Sequence, residues 1–149
     1  MPISFGWRRG VPDFRDYEHD DPRTLELLPA PKGLREPFPS RVDLREYFPP
    51  AFDQQEIPSS PAQACIGLVE YFERRVFGKT APLSRLFLYQ TAQKLIGRTA
   101  GGADLRITLK SMRRFGVPPE RYWPYDRQKV SVEPGAHLYA FAERLRTMQ

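Results

Sequence analysis

Apolar and polar positions divide the chain into two parts of different character. Between Ala62 and Phe77 the apolar residues Cys65, Ile66, Leu68, Val69, Phe72, Val76 and Phe77 cover more than one face of a helix, which predicts a largely buried element. Ser59 or Ser60 can cap it, Pro61 suits its first turn and Gly78 can end it. A second helix is predicted to start at Ser84 and stop at Gly97, with Phe87, Leu88, Leu95 and Ile96 among its apolar positions. A third is predicted from an Asp104 cap to Gly116, with Leu105, Leu109 and Met112 at i, i+4 and i+7. Pro118-Pro119 forbids its continuation. A last amphipathic helix is predicted from Glu133 or Pro134 to Arg146.

Before Ala62 the pattern fails. Eleven of the 16 prolines lie in residues 1–61, and proline fixes φ while turning the preceding residue away from helix. Residues 1–40 therefore read as a Pro-rich extended arm and 41–149 as a helical domain. Asp13–Asp21 and Glu56–Ser60 read as loops, and Phe38–Leu44 as a short strand. No internal repeat or low-complexity tract interrupts this order.

Charge sharpens the contrast. Residues 1–60 carry 8 Lys+Arg against 11 Asp+Glu, whereas residues 61–149 carry 15 against 7. A basic half can mark a nucleic-acid surface, but these cations fall singly or in pairs such as Arg74-Arg75 and Arg113-Arg114, without a dense run or interleaved aromatics. The expectation is no nucleic-acid partner, with the acidic arm available to lie across the basic body. With 28% charged and 40% apolar residues the composition is that of a globular chain, and no apolar run approaches the ~18 residues of a membrane span. The first residues, Met1–Arg9, lack the apolar core of a cleaved leader, and the lone Cys65 excludes an intrachain disulfide. Together these predict a cytoplasmic chain, and no cofactor or metal motif is present.

Several short stretches, taken in order, resemble the bacterial branch of the papain-like cysteine peptidases. Gly6-Trp7 with Pro12-Asp13-Phe14-Arg15-Asp16-Tyr17 looks like the leader that precedes the peptidase core, and Ser40-Arg41-Val42-Asp43-Leu44-Arg45 is similar to the start of that core. Asp53-Gln54 matches the opening of the active-site loop. Leu83-Ser84-Arg85-Leu86-Phe87-Leu88-Tyr89 resembles the second helix, and Gly101-Gly102 with Ala103 the substrate-binding glycine stretch. Phe115-Gly116-Val117 and Trp123-Pro124-Tyr125-Asp126 fit the segments that follow.

The resemblance implies a mainly α fold, an α+β remnant corresponding to the helical half of the papain-like architecture. It also implies a four-part chemistry: a cysteine thiolate at a helix N-terminus, a histidine base, an asparagine that orients it, and a glutamine in the oxyanion hole. Gln54 matches that glutamine. The family loop runs Asp-Gln-Gly-x-x-Gly-Ser-Cys, so Ser60 falls at the nucleophile position, and Gln55 and Pro58 replace both glycines. An isolated Cys→Ser change would have left the glycines in place. The family's histidine and asparagine lie roughly 130–150 residues beyond the nucleophile, and fewer residues than that follow Ser60. His19 and His137 read as surface histidines, and Cys65, more than a turn into its helix, as a packing residue. Gly101 and Gly102 have two readings, a turn or a retained peptide-docking edge.

These implications lead to a catalytically inactive relative that acts as a protein-binding or assembly subunit. A protein partner or a second copy would cover the face left by an absent β-rich half. The alternatives are a split peptidase, completed by a chain that supplies histidine and asparagine, and a peptide-binding regulator of a peptidase.

Overall fold

In a computed structural model of the chain, residues 6–18, 20–27, 40–98 and 101–143 are described. Among the described residues the regular structure is five α-helices, α1 (Pro22–Leu27), α2 (Ser60–Phe77), α3 (Arg85–Leu95), α4 (Leu105–Phe115) and α5 (Ala136–Glu143), with short 3-10 turns at Arg45–Tyr47 and Arg127–Lys129. No strand occurs among the described residues, so the mainly helical expectation holds. None of these helices is long and apolar enough to cross a membrane.

The chain divides into two compact units, Val11–Leu44 and a larger one formed by Met1–Gly10 with Arg45–Gln149. In the smaller unit, α1 begins where Asp21 accepts from the Arg23 N–H (2.9 Å) and Pro22 stands at the first helical position. This helix was not expected from a proline-rich arm. In this unit Asp13 pairs locally with Arg15 and Asp21 with Arg23, both at 2.6 Å. The strand expected near Val42 is not formed: residues 41–44 carry no regular structure and Val42 is exposed, while Phe38-Pro39 lies outside the described residues.

In the larger unit, α2, α3 and α4 pack on one another, and α5 packs on α4. Local chemistry sets the ends of these helices. Ser84 Oγ accepts from the Phe87 N–H (3.2 Å) and Asp104 Oδ1 from the Ile107 N–H (2.8 Å). Gly78 takes φ 70° and returns its N–H to the Arg74 carbonyl. Ile66, Leu86, Leu88, Met112 and Val117 form the core between α2, α3 and α4. Phe87, on the other side of α3, packs with Leu138 and Ala142 of α5.

The α2 helix departs from the expectation of a largely buried element. Its inner residues Ala62, Cys65, Ile66 and Tyr71 are buried, but Leu68, Phe72, Val76 and Phe77 are 47–72% exposed. Its apolar residues serve two surfaces, an inner one on the core and an outer one open to solvent. Burial pushes the Cys65 thiol up to about 11, which leaves it a neutral packing group. Glu70, 3% exposed, accepts from the Leu83 N–H (3.0 Å) and so fixes the approach to α3; burial raises its carboxyl above the usual range.

Candidate functional site

The loop from Asp53 to Ser60 is built by short-range bonds. Asp53 Oδ1 accepts from the Gln55 N–H (2.7 Å), and the Gln54 carbonyl accepts from the Ile57 N–H (3.1 Å). Ile57, 3% exposed, anchors the loop in the core. Gln55 sits at φ 51°, a left-handed conformation that costs a residue with a Cβ roughly 1–2 kcal/mol and that glycine adopts freely. The glutamine therefore occupies a backbone shape suited to the glycine of the family loop.

The structure brings Gln54 and Ser60 together. Ser60 Oγ donates to Gln54 Oε1 at 2.5 Å, across a half-buried contact. Ser60 is the first residue of α2, so of the two candidate caps Ser59 takes the N-cap position and Ser60 does not. Ser59 is fully buried, and its hydroxyl makes no cap bond because a tyrosine takes it.

That tyrosine is Tyr125. Ser59 Oγ and Tyr125 Oη lie 2.6 Å apart, Tyr125 Oη donates to the Gln54 carbonyl (2.8 Å), and Gln63 Nε2 donates to Ser59 Oγ (3.1 Å). With Tyr125 donating onward, Ser59 must donate to Tyr125, and the chain of donors runs Gln63, Ser59, Tyr125, Gln54. Arg85 stacks its guanidinium 4.6 Å from the rings of both Tyr125 and Phe52, and pairs with Glu120 at 3.1 Å. Glu120 also accepts from the Tyr125 N–H (2.8 Å). Burial raises the Tyr125 hydroxyl above its ordinary value, so it stays protonated and remains a donor. The Trp123-Pro124-Tyr125-Asp126 segment thus clamps the loop that carries Gln54. Tyr125 and Arg85 have no individual role in the sequence reading, and Ser59 has only that of a candidate helix cap. Their coupling spans up to 71 positions and carries no local signal.

Gly101, Gly102 and Ala103 meet the Gly6–Arg8 segment. Ala103 N–H donates to the Gly6 carbonyl (2.9 Å) and the Arg8 N–H to the Ala103 carbonyl (3.0 Å), a parallel bridge between Trp7 and Ala103. A Cβ added at Gly102 would lie 1.9 Å from the Gly6 carbonyl oxygen, and one at Gly6 would lie 1.8 Å from that of Pro58. Only glycines allow this stack of three backbones. The Gly6–Arg8 segment therefore runs between the Pro58 loop and the glycine stretch. Tyr89 Oη steadies the far side by donating to the Gly101 carbonyl (3.2 Å).

Beside Gln54 and Ser60 opens a hollow of about 360 Å³, walled by Phe48, Pro50, Phe52, Ala64 and Gly67. His137 is exposed on α5, a helix that does not touch α2; His19 lies outside the described residues. No cluster of three or more metal-ligating side chains exists among the described residues. The site can orient a carboxamide, a hydroxyl and a backbone edge, and among the described residues no imidazole or carboxylate accepts from Ser60.

No protein-family model matches the chain. It is 27% identical over 150 residues to an uncharacterized peptidase C1-like protein of Acanthamoeba polyphaga mimivirus, covering 94% of this chain and 48% of that protein. Among solved structures it superposes on xylellain, a cysteine protease from Xylella fastidiosa, with TM-score 0.73 and 25% identity over 99% of this chain and 57% of that one. The digestive procathepsin L 3 of Tenebrio molitor larval midgut shares the fold at TM-score 0.57 and 19% identity, with 73% of this chain and 35% of that one covered. The chain spans about half the length of the first two. Over nearly its whole length, then, this chain is a relative of the papain-like cysteine peptidases.

Proposed function

We propose that the chain is a non-hydrolytic relative of the papain-like peptidases that works as a protein-binding, assembly-type subunit. The observation that carries this reading is the Ser60–Gln54 bond. The hydroxyl at the nucleophile position gives its proton to a neutral amide oxygen, 2.5 Å away, in the residue that the family uses to stabilise an oxyanion. A serine alcohol attacks a carbonyl only when a base withdraws its proton, and an amide oxygen is no such base. The assignment of Ser60 to the nucleophile position, and of the chain to the bacterial branch, belongs to the same reading.

Two further features support a binding role. The backbone groups of Ala103 that would receive a peptide are bonded to Gly6 and Arg8 of the chain itself. The outer face of α2 presents Ala64, Leu68, Phe72 and Val76 at successive i+4 positions beside the apolar hollow. Contiguous exposed apolar surface of this kind favours contact with another polypeptide.

Sedimentation velocity across a concentration series tests the reading, with Leu68→Asp/Phe72→Asp as the control. The expected result is association of the parent chain, with itself or with a co-purifying protein, that the double variant loses. A monomer that stays free of apolar dye at every concentration would contradict it. Peptide hydrolysis arising only when a co-purifying protein is added would favour the split peptidase instead.

A further inference from the structure

A second cleft lies on α3, apart from Gln54 and Ser60 and sharing no lining residue with the hollow beside them. It encloses about 500 Å³ between the α3 residues Gln90, Gln93 and Lys94, the following Arg98, the loop from Val130 to Pro134, and Tyr139 of α5. Two glutamines one turn apart on α3 line it, and they differ sharply. Gln90 is fully engaged: its Nε2 meets the carbonyls of Lys129 (2.8 Å), Val130 (3.1 Å) and Val132 (2.7 Å), and its Oε1 accepts from Trp123 Nε1 (2.8 Å). That glutamine shapes the cleft by pinning its loop.

Gln93 is 2% exposed, yet neither its Oε1 nor its Nε2 has a hydrogen-bond partner among the described residues. A buried carboxamide is nearly always bonded, because desolvation without a partner is unfavourable. Leucine or methionine would fill this volume without that penalty, so retention of an amide asks for a ligand that completes it.

The surroundings narrow the ligand's chemistry. A carboxamide offers one acceptor beside one donor, the complement of another amide. Arg98 stands exposed at the cleft with no ion-pair partner among the described residues, and so supplies an unused cation for a carboxylate. Lys94 is already held by Glu133. Val130, Val132 and Tyr139 give apolar wall for a side chain. We propose that this cleft binds an amide-bearing carboxylate, the chemistry shared by an N-acyl amino acid and the carboxyl terminus of a peptide. The ligand amide pairs with the Gln93 carboxamide and the carboxylate with the Arg98 guanidinium. Both Gln93 polar atoms are screened from bulk solvent, in a residue that lines the wall of the cleft.

Calorimetric titration of the full chain tests this, with N-acetyl-L-leucine, N-acetyl-L-leucinamide and a tripeptide bearing a free carboxyl terminus as probes. The carboxylate probes should bind saturably, and amidation of the carboxyl group should weaken N-acetyl-leucine at least about tenfold. Gln93→Leu and Arg98→Ala should each weaken it by a similar factor. A tripeptide that binds more tightly than N-acetyl-leucine identifies a peptide terminus as the natural ligand, and equal binding identifies the small amide acid. Arg98 is exposed, so its variant decides the matter even where Gln93→Leu folds poorly. No saturable binding of either carboxylate probe up to about 10 mM, or affinity unchanged in Arg98→Ala, overturns the proposal.

Discussion

Gly102→Ala places a methyl group where the Gly6 carbonyl oxygen already stands, 1.9 Å from the new Cβ. The neighbour is backbone, so no rotamer change relieves the clash, and the Gly6–Arg8 segment has to leave. Two hydrogen bonds go with it, Ala103 N–H to Gly6 and Arg8 N–H to Ala103. At about 0.5–1.5 kcal/mol net for each bond, the departure lowers stability by about 1–3 kcal/mol. Little apolar burial is lost besides, since Trp7 is 60% exposed in place. Amide hydrogen exchange reads the local effect and urea denaturation the global one. The Arg8 amide should lose its protection while those of α3 residues such as Leu88 keep theirs, because the core of α2, α3 and α4 does not involve the segment. Gly78→Ala is the control: it also strains a glycine, at φ 70°, but its Cβ meets nothing within 4 Å. It should lower the midpoint and leave Arg8 protected. Retained protection at Arg8 in Gly102→Ala would refute the claim that glycine contact seats this segment.

Tyr125→Phe removes the hydroxyl that joins Ser59 to the Gln54 carbonyl, and leaves buried Ser59 without its acceptor. Urea denaturation should show a loss of about 1–3 kcal/mol, and an unmoved midpoint would mean the clamp is not what holds the loop. Glu70→Gln keeps the acceptor for the Leu83 N–H and removes the charge. Because burial raises the Glu70 carboxyl in the folded chain, the native state binds this proton more tightly than the unfolded one. Its contribution is present at low pH and is lost as pH rises from the ordinary 4.5 through the raised value. The variant should therefore gain stability relative to the parent across that rise, and a stability difference independent of pH would contradict the burial argument.

The sequence was legible where the signal was local. Ser84, Asp104 and Gly116 mark helix ends through bonds spanning a few residues, and the structure places the ends of α3 and α4 within two residues of those expected. Asp21-Pro22 is an equally good start signal, but the surrounding prolines hid α1. Apolar spacing on more than one face of α2 read as burial; it could not say that the face of Leu68, Phe72 and Val76 stays open, since exposure depends on what packs there. At the site, Gln54 and Ser60 were named from the resemblance and the structure brings them together. Tyr125, Ser59, the Gly6–Gly102 approach and the unmatched amide of Gln93 all depend on tertiary contacts, which leave no periodic trace.

The central claim of the proposed function is that no group among the described residues activates a nucleophile at Ser60, and one substitution addresses it most directly. Ser60→Cys puts an intrinsically better nucleophile at the head of α2 while leaving Gln54 and the clamped loop as they are. Hydrolysis of a panel of fluorogenic peptides by the parent chain and by Ser60→Cys is the measurement. The account predicts no turnover from either protein above the buffer rate, because among the described residues no imidazole stands beside Ser60 to form the thiolate pair. Cysteine-dependent turnover by Ser60→Cys, abolished by alkylation, would contradict it and show that a group of this chain serves as the base.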